Sequence, residues 1–323
     1  MESKDFTRWY EQVEVSKSSA PIRFTIFLVK IFPHWFLVGV CFIVAFFYYA
    51  FSNAVRNAAK IYQKKLIAFS KEGKLKKVNA YFQILSFAIC LVEKIEGWSE
   101  KTNLDNVVFF DDDVVPLKEQ LSHGKGAFLI GSHLGNLEYI RSLAAFNQTG
   151  VNRRVHVTAI MDMDVTANFN KSMQELNELF YFDMVSANQI GVDTIELLEK
   201  RLNDGGIIFI AGDRTSVNAP ERNIKQTFLN ERAEFPYGAF FLASLLKAPV
   251  YFVFPERSKD ITFKNSYDMH VYKPSVDFNC PRGERSRRIE VLCSEFVKKL
   301  EYWCEKYPYQ WYNFFDFWSV EKK

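Results

Sequence analysis

Ala127-Phe128-Leu129-Ile130-Gly131-Ser132-His133-Leu134-Gly135-Asn136-Leu137-Glu138 passes from four apolar residues through small ones to a histidine and a carboxylate. A helical pattern of apolar residues, Leu137, Ile140, Leu143 and Ala144, comes next. Strand, small-residue turn and helix in that order present side chains at the carboxyl edge of an α/β sheet. Five helical residues turn through roughly 500°, so His133 and Glu138 on one helix would point roughly 140° apart. For the two to meet, His133 must lie in the turn, which Gly131 and Gly135 permit.

Imidazole titrates near neutral pH and can take a proton from a hydroxyl or an amine. A carboxylate on its other nitrogen selects the tautomer and stabilises the imidazolium that forms. The plain alternative is a packed histidine that happens to sit near a surface glutamate. His133-x4-Glu138 directly after a strand resembles the His-x4-Asp/Glu motif of the lysophospholipid acyltransferase superfamily. It looks most like the branch of the lipid A late acyltransferases, where the acid is often Glu.

Further along, an apolar run, Ile207 to Ala211, ends on Gly212-Asp213-Arg214-Thr215, a second charged cluster at a strand's carboxyl edge. It lies on the same edge as His133 if the sheet is parallel. An Arg there can fork onto a phosphate or a carboxylate; an Asp213–Arg214 surface pair is the plain reading. A third block runs Phe228-Leu229-Asn230, Ala233 and Phe235-Pro236-Tyr237-Gly238 into Leu242-Ala243. These blocks are similar to the superfamily's later substrate-binding motifs, with Asn230 standing where Gly is common. The aromatic ending, Pro308 to Trp318, resembles the Pro-x-x-Trp close of the late acyltransferases. Lining an acyl channel, covering a sheet edge, resting in a membrane interface and core packing all suit it.

Around these blocks strands and helices alternate: Val155 to Ile160 (strand), Thr166 to Phe180 and Thr194 to Leu202 (helices), then Ile207 to Ala211. Tyr237 to Lys247 (helix), Pro249 to Phe254 and Met269 to Tyr272 (strands), and Arg287 to Tyr307 (helix) complete the series. Alternation of this kind predicts an α/β fold with a mostly parallel central sheet flanked by helices. Pro116 to Leu121 reads as a helix leading into the His133 strand, preceded by Asp111-Asp112-Asp113, a solvated turn. Asp204-Gly205-Gly206 is no phosphate cradle, because no helix opens after it.

The 323 residues are ample for a sizeable core, and 41 basic against 38 acidic residues leave a net charge of +3, too balanced to point to nucleic acid. With 32 Phe and 6 Trp, the composition favours contact with lipid. Five dispersed cysteines, Cys41, Cys90, Cys280, Cys293 and Cys304, suit a reducing compartment rather than a disulfide framework or a zinc site. Met1 to Ala20 lacks the pattern of a cleaved signal peptide. Phe24 to Phe51 is apolar apart from Lys30 and His34, with Pro33 interrupting it. It predicts a membrane-associated helical segment, as a span or a monotopic hairpin kinked at Pro33; the alternative is a buried core helix. Basic residues are denser after this segment (Arg56, Lys60, Lys64, Lys65, Lys71, Lys74, Lys76 and Lys77 against Glu72). That charge bias places the downstream chain in the cytosol. The expected division is an anchor over 1–52 and a catalytic domain over 53–323, with Tyr81 to Leu91 a helix.

The resemblance covers roughly Phe24 to Trp318, with its blocks in family order. It implies an acyltransferase of lipid biosynthesis at the cytoplasmic (inner) membrane. An acyl group would pass from an acyl carrier protein or coenzyme A thioester to a hydroxyl or amine of a membrane lipid or glycolipid. His133 would be the base and Glu138 its orienter. Arg214, flanked by Asp213 and Thr215, would hold phosphate or an oxyanion, with Asn136 a further oxyanion donor. Neither a metal nor a cofactor is expected. Two rival readings are a serine hydrolase, which lacks a Gly-x-Ser-x-Gly here, and a silent membrane-anchored lipid-binding protein.

Overall fold

The computed structural model describes residues 20–70, 77–98, 107–110, 113–144, 155–162, 182–215 and 222–318, with Leu75, Val151 and Arg153 besides. The helix expected over Thr166 to Phe180, and Asp111 and Asp112, lie outside them.

Four helices lead the described chain: α1 (Ala20–Ile31), α2 (His34–Phe51), α3 (Asn53–Phe69) and α4 (Ala80–Trp98). Pro33 separates α1 from α2, as its missing N–H and fixed φ require. Next come β1 (Val107–Phe109), α5 (Val114–Ser122), β2 (Ala127–Gly131), a 3₁₀ helix (Leu137–Ala144), β3 (Val157–Met161) and β4 (Phe182–Ser186). The chain continues through α6 (Val192–Asn203), β5 (Ile207–Ala211), β6 (Asn223–Phe228), β7 (Glu231–Pro236) and α7 (Tyr237–Leu246). It closes with β8 (Val250–Arg257), β9 (Tyr267–Tyr272) and α8 (Arg285–Lys306).

The seven-stranded sheet runs β1-β9-β8-β2-β5-β3-β4. Every pairing is parallel except β8 with β9. The expected α/β architecture is therefore present, with one reversal near an edge. Successive residues of β2 face opposite sides, so Phe128 and Ile130 enter one apolar cluster and Ala127 and Leu129 the other. A strand buried on both faces reads as an unbroken apolar run, which is why β2 and β5 are plain in the sequence.

β6 and β7 form a separate antiparallel hairpin that the strand–helix alternation did not predict. Leu229 (φ 51°) and Asn230 (φ 65°) make its turn, both left-handed, as a two-residue hairpin turn demands. The same geometry explains why a glycine suits position 230.

Candidate active site

β2 and β5 are in-register parallel neighbours, with Gly131 opposite Ala211 and the Gly212 N–H donating to the Gly131 carbonyl at 2.8 Å. Two residues beyond, the register brings His133 against Asp213. Their contact is double: Nδ1 of His133 lies 2.7 Å from Asp213 Oδ1, and the His133 backbone N–H donates to Oδ2 at 2.8 Å. Asp213 is fully buried, so a surface pair with Arg214 is ruled out, whereas 28% of the His133 side chain is exposed.

Glu138 is the orienter expected from the sequence. The carboxylate at Nδ1 belongs to Asp213. Glu138 opens the 3₁₀ helix, half-buried, its N–H bonded to Asn136 Oδ1 at 3.2 Å. The reason lies in the turn. Gly135 (φ +72°) drives the backbone between Gln310 and Pro255, its N–H donating to the Gln310 carbonyl at 3.0 Å. The next N–H, that of Asn136, donates to the Pro255 carbonyl at 2.9 Å. A Cβ on Gly135 would stand 1.9 Å from that same Pro255 oxygen.

The C-terminal segment completes the site. The Tyr312 N–H donates to the His133 carbonyl at 2.8 Å, and Leu134 bridges Trp311 in antiparallel fashion. Trp311, fully buried between Tyr62 and Phe228, donates its indole N–H to Asp213 Oδ2 at 3.0 Å. Asn313 Nδ2 donates to the same oxygen at 3.4 Å. Arg214 donates through Nε to Asn313 Oδ1 at 2.9 Å and through a terminal nitrogen to the Tyr312 carbonyl at 3.0 Å. The loops of His133 and Asp213 thus meet at one edge, and Trp311, Tyr312 and Asn313, which the sequence reading left out of the site, form the wall that joins them. Thr215 follows Arg214, half-buried, and Asn136 is buried with its Nδ2 unpartnered among the described residues.

Behind this wall, Gln310 exchanges both hydrogen bonds with the Arg257 backbone, at 2.8 and 2.9 Å. Arg257 and Glu93 form a fully buried pair at 2.7 Å, to which Tyr267 also donates. Gln83 donates to the Trp311 carbonyl at 2.8 Å.

The electrostatics favour a neutral ring beside a charged carboxylate. Burial lowers the pKa of His133, the Arg214 charge lowers it further, and Asp213 opposes both; the net shift is below 6.5. Burial would raise the pKa of Asp213, but the His133 contacts and Arg214 outweigh it and hold the carboxyl below its ordinary range. Burial brings Arg214 down to about 10, against the pull of Asp213, so it stays charged at neutral pH.

A doubly covered, mostly parallel sheet with an Asp-oriented histidine at its carboxyl edge defines a class of α/β protein equipped for proton transfer. Residues 22–319 match the family described as bacterial lipid A biosynthesis acyltransferase, and the chain belongs to that family. It is thus an acyltransferase of the lipid A type. No curated protein matches the chain.

Proposed function

We propose that the protein moves a fatty acyl group from an acyl carrier protein or coenzyme A thioester to a hydroxyl or amine of a glycolipid acceptor, at the cytosolic face of the inner membrane. The observation that carries this reading is the Asp213 carboxylate on Nδ1 of a partly open His133. With Nδ1–H donated to Asp213, Nε2 carries the lone pair and takes the acceptor's proton. The freed oxygen or nitrogen attacks the thioester carbonyl, and the tetrahedral oxyanion collapses with cleavage of the C–S bond. The departing thiolate recovers the proton from Nε2, so the enzyme returns to its starting state.

Asp213 holds the tautomer and stabilises the imidazolium. Glu138, five residues past the base, supports the orientation of His133. Arg214, with Thr215 beside it, serves the anionic end of donor or acceptor, and Asn136 supplies a donor toward the oxyanion. Arg214 is held by Asn313 and Tyr312 through Nε and one terminal nitrogen, so its charge is positioned in advance. The test is transfer of radiolabelled acyl groups from each thioester to a lipid extract. Wild type is expected to label a lipid and His133→Ala to label none above background. Equal labelling by the two proteins removes His133 from the chemistry.

A further inference from the structure

Three layers lie side by side along the length of α2. Its inner residues Leu37, Val38, Cys41 and Ala45 are buried in one cluster with Ile84, Leu85, Ile89 and Val92 of α4. The two helices are antiparallel and tied at both ends. His34 Nδ1 meets Glu96 Oε2 at 2.9 Å, and Tyr49 packs edge-on against Tyr81 at 6.0 Å. Between them the Tyr81 hydroxyl donates to the Phe42 carbonyl at 3.0 Å. The far side of α4 is bound to the catalytic body over the same length. Gln83 reaches Trp311, Ser86 reaches the Tyr312 hydroxyl at 3.0 Å, and Glu93 holds Arg257. At mid-helix, Phe42 stacks on Phe263, which projects from the loop between β8 and β9 with Lys259 and Lys264 near it in sequence.

The outer face of this helical pair is apolar and open. Phe24 and Phe27 on α1 are 61% and 56% exposed, Trp35, Ile43 and Phe47 on α2 between 54% and 61%, and Phe51 80%. Residues 20–70 hold six basic residues (Arg23, Lys30, Arg56, Lys60, Lys64 and Lys65) and no acidic one. A second copy of the chain would set like charges against like, whereas an anionic lipid surface complements both the charge and the apolar face.

By length and composition α2 is the one candidate span among the described residues. If it crossed a bilayer, Phe42 would sit near the midplane and take the Phe263 loop with it. Non-helical backbone and two lysines would then lie at hydrocarbon depth, where neither is satisfied. We propose instead that α1 and α2 lie side-on in one leaflet of an anionic phospholipid bilayer, their exposed aromatic face in the lipid, with α4 and the sheet stacked above. This rests on the membrane-bound acyltransferase reading and adds how the enzyme sits. The layer that holds Trp311 and Tyr312 then lies next to the leaflet, and an amphiphilic acceptor can reach the sheet edge without crossing the bilayer.

Depth-dependent quenching decides between the two seatings. In full-length Cys280→Ser protein, single cysteines replacing Trp35, Ile43, Phe47 or Phe51 carry an environment-sensitive fluorophore. The vesicles are phosphatidylethanolamine and phosphatidylglycerol with bromine placed shallow or deep in the chains. Side-on seating predicts that all four labels are quenched more by shallow bromine, to within about twofold of one another. A profile with Ile43 deepest and Trp35 and Phe51 shallow overturns the proposal in favour of a span. Quenching by neither set, or equal binding to vesicles of phosphatidylcholine alone, overturns the anionic lipid face. Acyl transfer by the same labelled proteins in detergent is read in parallel. Activity with the wrong depth profile sinks only the seating, and side-on quenching without activity in unlabelled wild type sinks only the enzymatic reading.

Discussion

At the scale of single residues the proposed chemistry rests on Asp213, because a buried carboxylate on Nδ1 is what would make His133 a base rather than a packed histidine. Loss of general-base catalysis commonly costs about a hundred- to ten-thousand-fold. His133→Ala and Asp213→Asn should each fall in that range. The double variant should be little worse than His133→Ala, because residues acting as a unit are not additive. Losses that simply multiply in the rate assay would dissolve the pair. Glu138→Gln keeps its bulk and should cost less than Asp213→Asn, in the same assay. The pH profile carries the sign. Because His133 is held below 6.5, the acid limb of kcat/KM should lie below pH 6.5. Asp213 is the group that raises it, so residual activity of Asp213→Asn should titrate at still lower pH.

Trp311 is a positioning residue, acting through Asp213. Trp311→Phe keeps most of the aromatic packing on Tyr62 and Phe228 but removes the N–H from Asp213 Oδ2. Hydrogen bonds to charged groups contribute about 1.5–3 kcal/mol, so kcat should drop by roughly tenfold or more with KM nearly unchanged. The carboxylate, having lost a donor, becomes a stronger acceptor, and the acid limb should move toward higher pH. A purely structural tryptophan would lower the melting temperature and leave that limb in place.

Between elements, the in-register ends of β2 and β5 do the positioning, and the Gly135 turn separates His133 from the helix that carries Glu138. A side chain at position 135 would meet the Pro255 carbonyl and adopt a left-handed conformation that costs L-residues about 1–2 kcal/mol before any clash. Gly135→Ala should therefore lower the melting temperature by several degrees and abolish most transfer; an unaltered melting curve would show that the turn is not constrained. The β6–β7 hairpin shows what periodicity misses. Its strands mix Lys, Gln, Glu and Arg with buried Ile224, Phe228, Ala233 and Phe235, and its turn is Leu229-Asn230 rather than a glycine-bearing pair.

Over the whole molecule, the Glu93–Arg257 pair joins the α4 layer to the sheet beneath the C-terminal wall. Removing one member of a buried pair strands the other charge, at a cost of about 3–5 kcal/mol. Glu93→Gln should show that loss in denaturant unfolding, and Glu93→Met with Arg257→Met should recover much of it. A double variant no more stable than Glu93→Gln would mean that the arginine's links to Ser86 and Asp260, rather than its charge, hold the layers.

The sequence by itself determined the α/β class and the edge at which the proposed chemistry lies, because strands buried on both faces must be apolar runs and their carboxyl ends must be small or polar. Phe128 to His133 and Ile208 to Asp213 even match position for position, each an apolar run, a small pair and a titratable residue. That match foretells the contact, but only if the two strands are neighbours in register, and nothing local to either run makes them so. Neighbourhood is set by how the whole sheet closes. Only the tertiary structure, therefore, gave the His133 Nδ1 a partner eighty residues away. It also placed Trp311 and Asn313 on the same carboxylate, because a buried charge must find its donors wherever the fold brings them within about 3 Å.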